Sequence, residues 1–469
     1  MAQRLGRLSQ HDGGCVVEWS YTVRVWAIRK RDYRKPFQLR WKVGTKAHSE
    51  SFMTLGLAES RRAQLITAAR EGEPFEVSSG MPKSLVAKER DVTWYEHARR
   101  YIEMKWTHAP GSTRRTLAEA MASVTPALVK DTRGMPDVHA VRTALYSWAF
   151  NKNRWDQEPP ADVAKTLAWF ERKSLPTSAL ADRMRVREAL DALTKKLDGT
   201  TAAASSIRRK RAIFHNALVY AVDAGLLNDN PLPQVRWKLP EQVEEEVDPE
   251  CVPDPEQGAA LLTAVREQSP RGRRLVAFFG CIYYGAARPA EVIGLREQDC
   301  ELPRRGWGAL RLRETRPRSG SAWTDSGEAH DKRGLKHRPR KAMRAVPIPP
   351  ELVALLRWHI TAYGTAPDGR LFRTSRGGLI QDTGYGEVWA EARRRALTPA
   401  QRASTLAKRP YDLRHAAVST WLSSGVEPQL VAKRAGHSVA VLFRVYAKFL
   451  SDGDEAANAK ISARLNGRG

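Results

Sequence analysis

Cysteine is scarce in this chain. Its 469 residues include 4, at Cys15, Cys251, Cys281 and Cys300, far apart and outside any Cys-x-x-Cys or Cys/His cluster. That spacing argues against a disulfide framework and against a zinc site, and no metal is expected. Long apolar runs are missing too. The most apolar stretch, LVAFFGCIYYGAA from Leu275 to Ala287, is too short for a bilayer, which takes about 20 residues. It reads as a buried helix, and no membrane role is expected. The opening segment MAQRLGRLSQHDGG has no apolar stretch of the signal-peptide kind, so a reducing, cytoplasmic setting is expected. Acidic residues are also in short supply: 52 Asp+Glu stand against 78 Lys+Arg, a formal net charge of +26. Such an excess favours a polyanionic partner, with DNA or RNA the first candidate.

The length suggests about three domains. Residues 1–82 read as a small sheet domain. In Phe37-Gln38-Leu39-Arg40-Trp41-Lys42-Val43, apolar and polar residues alternate with the period of a half-buried strand. Tyr21 to Lys30 is a second strand, and Leu57 to about Arg70 a helix covering the sheet. The basic strand face, with Arg40 and Lys42, is a candidate DNA reader. Residues 83–240 turn helical. Thr93 and Glu96 have capping-box spacing. Ile207, Phe214, Leu218, Ala221 and Val222 share one face of a helix that opens with Arg208, Arg209, Lys210 and Arg211, a basic cluster suited to phosphate contact. Gly225 is its stop signal. Residues 241–253, acidic and proline-rich, read as a linker. Residues 254–469 form the last domain, mainly helical with a strand pair at 309–313 and 344–348, joined by a long polar stretch read as a mobile loop. The expected fold class is therefore mainly α with small β-sheets (α+β).

The last domain carries a set of residues suited to one chemistry. Phosphodiester transfer adds negative charge to non-bridging oxygens, and arginine answers it with a planar fork that stays charged. Arg288 follows the apolar helix in GAARPAEV, and Arg414 lies in YDLRH. His437, after Gly436, can donate a further hydrogen bond. Tyr446 stands nine positions beyond it (446 − 437). A phenol, with a free pKa near 10, attacks well only when positioned and when its charge is stabilised. Two arginines, a histidine and a tyrosine are what a protein needs to cut and reseal DNA without a metal.

In this set the C-terminal half resembles the catalytic domain of the tyrosine recombinases, the phage integrase family, over roughly residues 254–455. The family's first box matches Ala286-Ala287-Arg288 with Glu291 three positions on, preceded by Gly285. The second, His-x-x-Arg, matches Tyr411-Asp412-Leu413-Arg414. The third matches Gly436-His437, and the nucleophile matches Tyr446. The family's lysine is assigned to Lys336, with Lys332 and Lys341 as competitors. The segment SSIRRKRAIFHNALVYAVDAGLLNDNPL is similar to the family's core-binding region, and the N-terminal sheet to its arm-binding domain. One departure stands out: Tyr411 replaces the histidine that opens the second box. Tyrosine can donate a hydrogen bond to phosphate but is a poor base near neutral pH. His415, one helical turn on, reads as a structural histidine.

The resemblance implies a site-specific recombinase that needs no cofactor. Tyr446 would form a 3′-phosphotyrosyl link, Lys336 would protonate the departing 5′-oxygen, and two rounds of exchange would pass through a four-way junction. The implied partners are double-stranded attachment-site DNA and three further copies of the chain in a tetramer. A directionality factor or host DNA-bending protein of a phage or mobile element is compatible with this. The implied setting is bacterial and DNA-associated. The rival readings are a type IB topoisomerase and a DNA-binding regulator with an inactive site.

Overall fold

The architecture is given by a computed structural model that describes residues 18–196, 198–239, 247–335, 343–446, 449 and 454–466. Lys336, Lys341 and residues 241–246 of the expected linker lie outside the described residues. The chain forms two compact units. One runs up to Thr107 and resumes over Leu117–Leu239; the other combines His108–Thr116 with the chain from Pro240 onward. Helices dominate both units and the sheets are small and antiparallel, so the chain is mainly α with small β-sheets. No helix among the described residues is long and apolar enough to cross a membrane.

In the first unit, the strand Phe37–Val43 buries Leu39, Trp41 and Val43 and exposes Arg40 and Lys42. That is the period-two pattern of its sequence. It pairs with Lys46–Phe52 on one edge and with two short strands, Val23–Val25 and Arg29–Lys30, on the other. The single strand expected over 21–30 is thus broken. Val25 faces Trp41 and Arg29 faces Gln38, so four steps on one strand meet three on its neighbour, the signature of a bulge. The helix Leu55–Arg70, capped by Thr54, buries Ala58, Leu65 and Ala68 and lays Leu65 and Ala68 on the sheet.

Farther along, Thr93 caps the helix Trp94–Trp106 by accepting from Glu96 N–H. The helix Ala204–Asp223 buries Ile207, Phe214, Ala217, Leu218 and Ala221 and ends just before Gly225, at φ 70°. Phe214 meets Trp94 edge-on at 5.6 Å, a favoured aromatic geometry. Lys210 corrects the sequence reading. It is buried, with its ammonium 3.1 Å from both Ser123 Oγ and Glu119 and 3.3 Å from the Lys195 carbonyl. It lies three residues after Ile207 and four before Phe214, so helical geometry turns it inward with the apolar face.

The second unit is organised around the helix Pro270–Tyr283. Nine of its residues are buried, from Gly272 to Ile282. Helices Pro255–Arg266, Pro350–Tyr363, Asp382–Ala396 and Asp412–Ser423 pack around it. Phe278 meets Phe372 edge-on at 5.6 Å and Phe279 packs on Trp389 at 5.0 Å. Truncating such a phenylalanine costs about 3–5 kcal/mol. The expected strand pair forms as Gly308–Leu312 with Arg344–Ile348, in the register Arg344↔Leu312 to Ile348↔Gly308.

Two expected loops are structured. After Arg313 the polar stretch makes a strand pair of its own, Glu314–Thr315 with Arg333–Gly334, and a 3-10 turn at Ser321–Trp323 that buries Trp323. Asp331 accepts from the Gly111 N–H and Arg114 pairs with Asp325. Some polar residues of this segment thus hold it in place by hydrogen bonds. Likewise, Val247 and Cys251 of the expected linker are buried among Ala417, Val431 and Leu442. Val247 N–H donates to the Val445 carbonyl at 2.9 Å.

Candidate active site

The site begins where the central helix ends. The chain turns through Gly285 and Ala286, and Ala286 holds φ at 46° although it carries a side chain. A left-handed residue of this kind costs about 1–2 kcal/mol, so the surroundings must hold it. They do: Ala286 is fully buried and its carbonyl accepts a hydrogen bond from Arg414 Nη1. The turn delivers Arg288 to the start of the short helix Pro289–Ile293.

Glu291, one turn into that helix, is the hub beneath Arg288. Its carboxylate accepts from Arg288 N–H at 2.8 Å and Arg288 Nη1 at 2.9 Å, and from Arg344 at 3.0 and 2.7 Å. Burial alone would raise the pKa of this acid. The guanidiniums of Arg344, Arg288 and Arg414 overcome that and hold it at about 2. The carboxylate is therefore charged at any working pH and fixes two arginines at once.

Arg414, in the first turn of the helix Asp412–Ser423, is wholly buried. Beside Ala286, it donates to the Ala435 carbonyl at 2.5 Å and to His437 Nε2 at 2.9 Å. Burial, with Arg288 nearby, lowers its pKa to about 10, which leaves it charged near neutrality. The sequence reading cast Arg288 and Arg414 as equal halves of a phosphate clamp. In the structure Arg414's terminal nitrogens are engaged within the protein, whereas the Arg288 side chain keeps 26% of its surface open.

His437 follows a helix stop. The helix Pro428–Ala435 ends at Gly436, which adopts the left-handed conformation at φ 70°. A Cβ at Gly436 would collide with the Arg344 guanidinium, so both the backbone and the space require glycine. The Gly436 carbonyl accepts from Arg288 Nη2 at 3.2 Å. The pKa of His437 is lowered to about 3 by burial and then by Arg414, Arg288 and Arg344. Its ring is neutral, its Nε2 is taken by Arg414, and its buried Nδ1 has no partner.

Tyr446 closes the helix Val439–Tyr446 and is almost fully buried. Its ring stacks on His437, with centroids 6.0 Å apart and planes at 26°. Its hydroxyl lies 2.8 Å from His415 Nδ1. Burial raises the phenol's pKa further than Arg414 and Arg288 lower it, so it is protonated at neutral pH. Tyr411 packs its ring edge-on against His415 at 5.2 Å.

The structure therefore gathers Arg288, Glu291, Tyr411, Arg414, His437 and Tyr446 into one place. Lys332 stands 3.8 Å from Glu314 with its side chain largely exposed. Two site residues escaped the sequence reading. Arg344 shares the inward strand face with Val346 and Ile348, so the period-two pattern could have marked it as buried. His415 was read as structural, yet it contacts the Tyr446 hydroxyl; its partner is 31 residues away, beyond any local pattern. Of the candidate DNA contacts, Arg40, Lys42 and Arg209 are exposed, while Arg208 and Arg211 are half-buried. Arg24 and Arg40 lie 5.9 and 5.8 Å from the Trp26 ring.

No family model and no curated protein matches this chain. Among solved structures it is similar to the Tn1549 transposon integrase, residues 82–397, in complex with circular intermediate DNA. Identity there is 16%, coverage is 66% of this chain and 96% of that one, and the TM-score is 0.44. It is also similar to the XerH site-specific recombinase bound to a difH substrate, at 13% identity, with 78% and 94% covered and a TM-score of 0.44. A lambda integrase dimer bound to a COC′ core site matches at 12% identity, with 91% and 94% covered and a TM-score of 0.46. These neighbours are tyrosine recombinases.

Proposed function

We propose that this chain is a site-specific DNA recombinase of the tyrosine type. The observation that supports it is the convergence of Arg288, Arg414, His437 and Tyr446 from segments far apart in sequence, with the tyrosine ring stacked on the histidine that Arg414 orients. Tyr446 Oη attacks a scissile phosphate and takes up the 3′ end. Arg288 and the free Nδ1–H of His437 stabilise the charge that develops on the non-bridging oxygens. A lysine, Lys336 before Lys332 or Lys341, protonates the departing 5′-oxygen. The 5′-hydroxyl of a second strand then attacks the phosphotyrosyl link, which conserves the bond energy. Two such rounds on a pair of sites pass through a four-way junction and use four copies of the chain.

The net charge of +26 fits a DNA partner. Within this reading, residues 1–82 read an accessory site through Arg40 and Lys42. Residues 83–240 grip the core site through Arg208, Arg209 and Arg211, and residues 254–469 do the chemistry. The element would be a phage or another mobile DNA, acted on in the bacterial cytoplasm.

The test uses nicked duplexes tiled across the DNA flanking the gene. The wild-type chain should form a denaturant-resistant protein–DNA adduct with one of them, and Tyr446→Phe should form none while still retarding the same duplex on a gel. Binding without any adduct would make the chain a regulator. An adduct with supercoil relaxation and no recombinant product would make it a topoisomerase.

A further inference from the structure

If Tyr446 is the nucleophile, something must take its proton, and Tyr411 is a poor candidate for that duty near neutral pH. The groups around the phenol decide the question by their hydrogen bonds. Arginine has no acceptor, so Arg414 Nη2 must donate to His437 Nε2. His437 then carries its hydrogen on Nδ1 and has no lone pair left to offer. His415 is different. Its Nδ1 lies 2.8 Å from Tyr446 Oη, within the reach a general base requires. Its ring is braced edge-on by Tyr411 at 5.2 Å, and it sits on the same helix as Arg414, one residue on.

We propose that His415 is a catalytic residue of this site: it accepts the Tyr446 proton at Nδ1 during cleavage and returns it during rejoining. The step rests on the recombinase reading above. As Tyr446 Oη bonds to phosphorus, its O–H bond breaks and the proton passes to Nδ1, giving an imidazolium. The P–O5′ bond breaks, and the 5′-oxygen takes a proton from the lysine ammonium or from water. In the return step the attacking 5′-hydroxyl gives up that proton, and the imidazolium reprotonates the departing phenolate.

The charges facing His415 suit this cycle. Burial lowers its pKa to about 4, Asp412 opposes that shift, and Arg414 and Arg409 add to it. The ring is thus neutral and ready to accept at pH 7. Tyr411 packs edge-on against the ring, and the neutral His437 lies within its field. A bound phosphodiester adds a negative charge that favours the imidazolium as it forms.

The test is single-turnover adduct formation by the full chain on the nicked duplex found above. His415→Asn can still accept at the Nδ1 position but cannot take the proton. It should cleave about 10²–10⁴-fold more slowly, the usual share of general base catalysis, with gel retardation unchanged. Its rate should climb about tenfold per pH unit from 6 to 8, where the wild type is flat, because hydroxide must replace the base. Millimolar imidazole should restore much of the rate of His415→Gly, which also carries the test should the Asn variant unfold. A His415→Asn variant as fast as wild type would overturn the proposal. So would a slow variant whose pH profile stays flat and whose Gly counterpart ignores imidazole, since that marks a structural role. Absence of adducts from the wild type itself would instead refute the recombinase reading.

Discussion

Arg414 Nη2 lies 2.9 Å from His437 Nε2, and this contact sets the tautomer of a histidine that burial keeps neutral. A guanidinium can only donate, so the imidazole must stay neutral and must point its hydrogen-bearing Nδ1 away from the arginine. A positive charge on His437 would face Arg414, Arg288 and Arg344 together.

The first prediction concerns acid. His437 and His415 are held at about 3 and about 4 in the folded chain, against about 6.5 when unfolded. Below that ordinary value the unfolded state binds more protons. The stability these groups provide is therefore complete above about pH 6.5 and is lost as pH falls toward 4 and then 3, amounting to a few kcal/mol. Urea midpoints measured from pH 7.5 to 4.5 should fall accordingly. A His415→Gln/His437→Gln double variant should show a shallower fall. Some slope should remain, because burial also lowers His97, His330 and His359.

The two arginines should part company. Arg414→Ala strands the Ala286 and Ala435 carbonyls and His437 Nε2 in a buried site, at about 1–3 kcal/mol for each unsatisfied group. It should lower both the melting temperature and cleavage. Arg288→Ala should cost little stability, since Arg344 still neutralises Glu291. Its cleavage rate should nevertheless drop by about 10²–10³, the value of one donor to a developing oxyanion. Melting curves beside single-turnover rates check the split.

Glu291→Gln removes the one carboxylate shared by Arg288 and Arg344. Breaking a buried pair from one side typically costs about 3–5 kcal/mol. The unfolding free energy, midpoint times slope, should fall by that amount, with the midpoint lowered and the slope unchanged. Cleavage should fall as well, since Arg288 loses its anchor.

Gly436→Ala should cost about 1–2 kcal/mol in backbone strain alone, and more because the new methyl meets the Arg344 guanidinium. Gel retardation should persist while adduct formation slows. His437, the next residue, shifts with the turn.

Legibility in the sequence followed the range over which each signal acts. The buried helix, the alternation of Phe37–Val43 and the Arg344–Ile348 strand are local patterns, and they folded as the pattern dictates. The candidate set of Arg288, Glu291, Arg414, His437 and Tyr446 was read from its order, spacing and motif boxes, and the structure brings these residues together. His415 was read as structural, and its contact with the Tyr446 hydroxyl was not legible because the partner is brought in by tertiary packing. Lys210 was misjudged because a run of four basic residues masked its place on the apolar face of Ala204–Asp223. The segment after Arg313 looked irregular since its strands are two residues long, too short for a period to show.

The seat of Arg414 has a consequence during synthesis. Its partners lie 128 residues upstream, at Ala286, and 21 and 23 residues downstream, at Ala435 and His437. While the chain emerges from the ribosome, the arginine has only one of its three partners, Ala286, until the segment through His437 is made, and the tyrosine comes later still. A product cut short before residue 435 lacks the histidine, the tyrosine and two of the three groups that hold the arginine. Under the proposed function, such a fragment would have no means of breaking a strand.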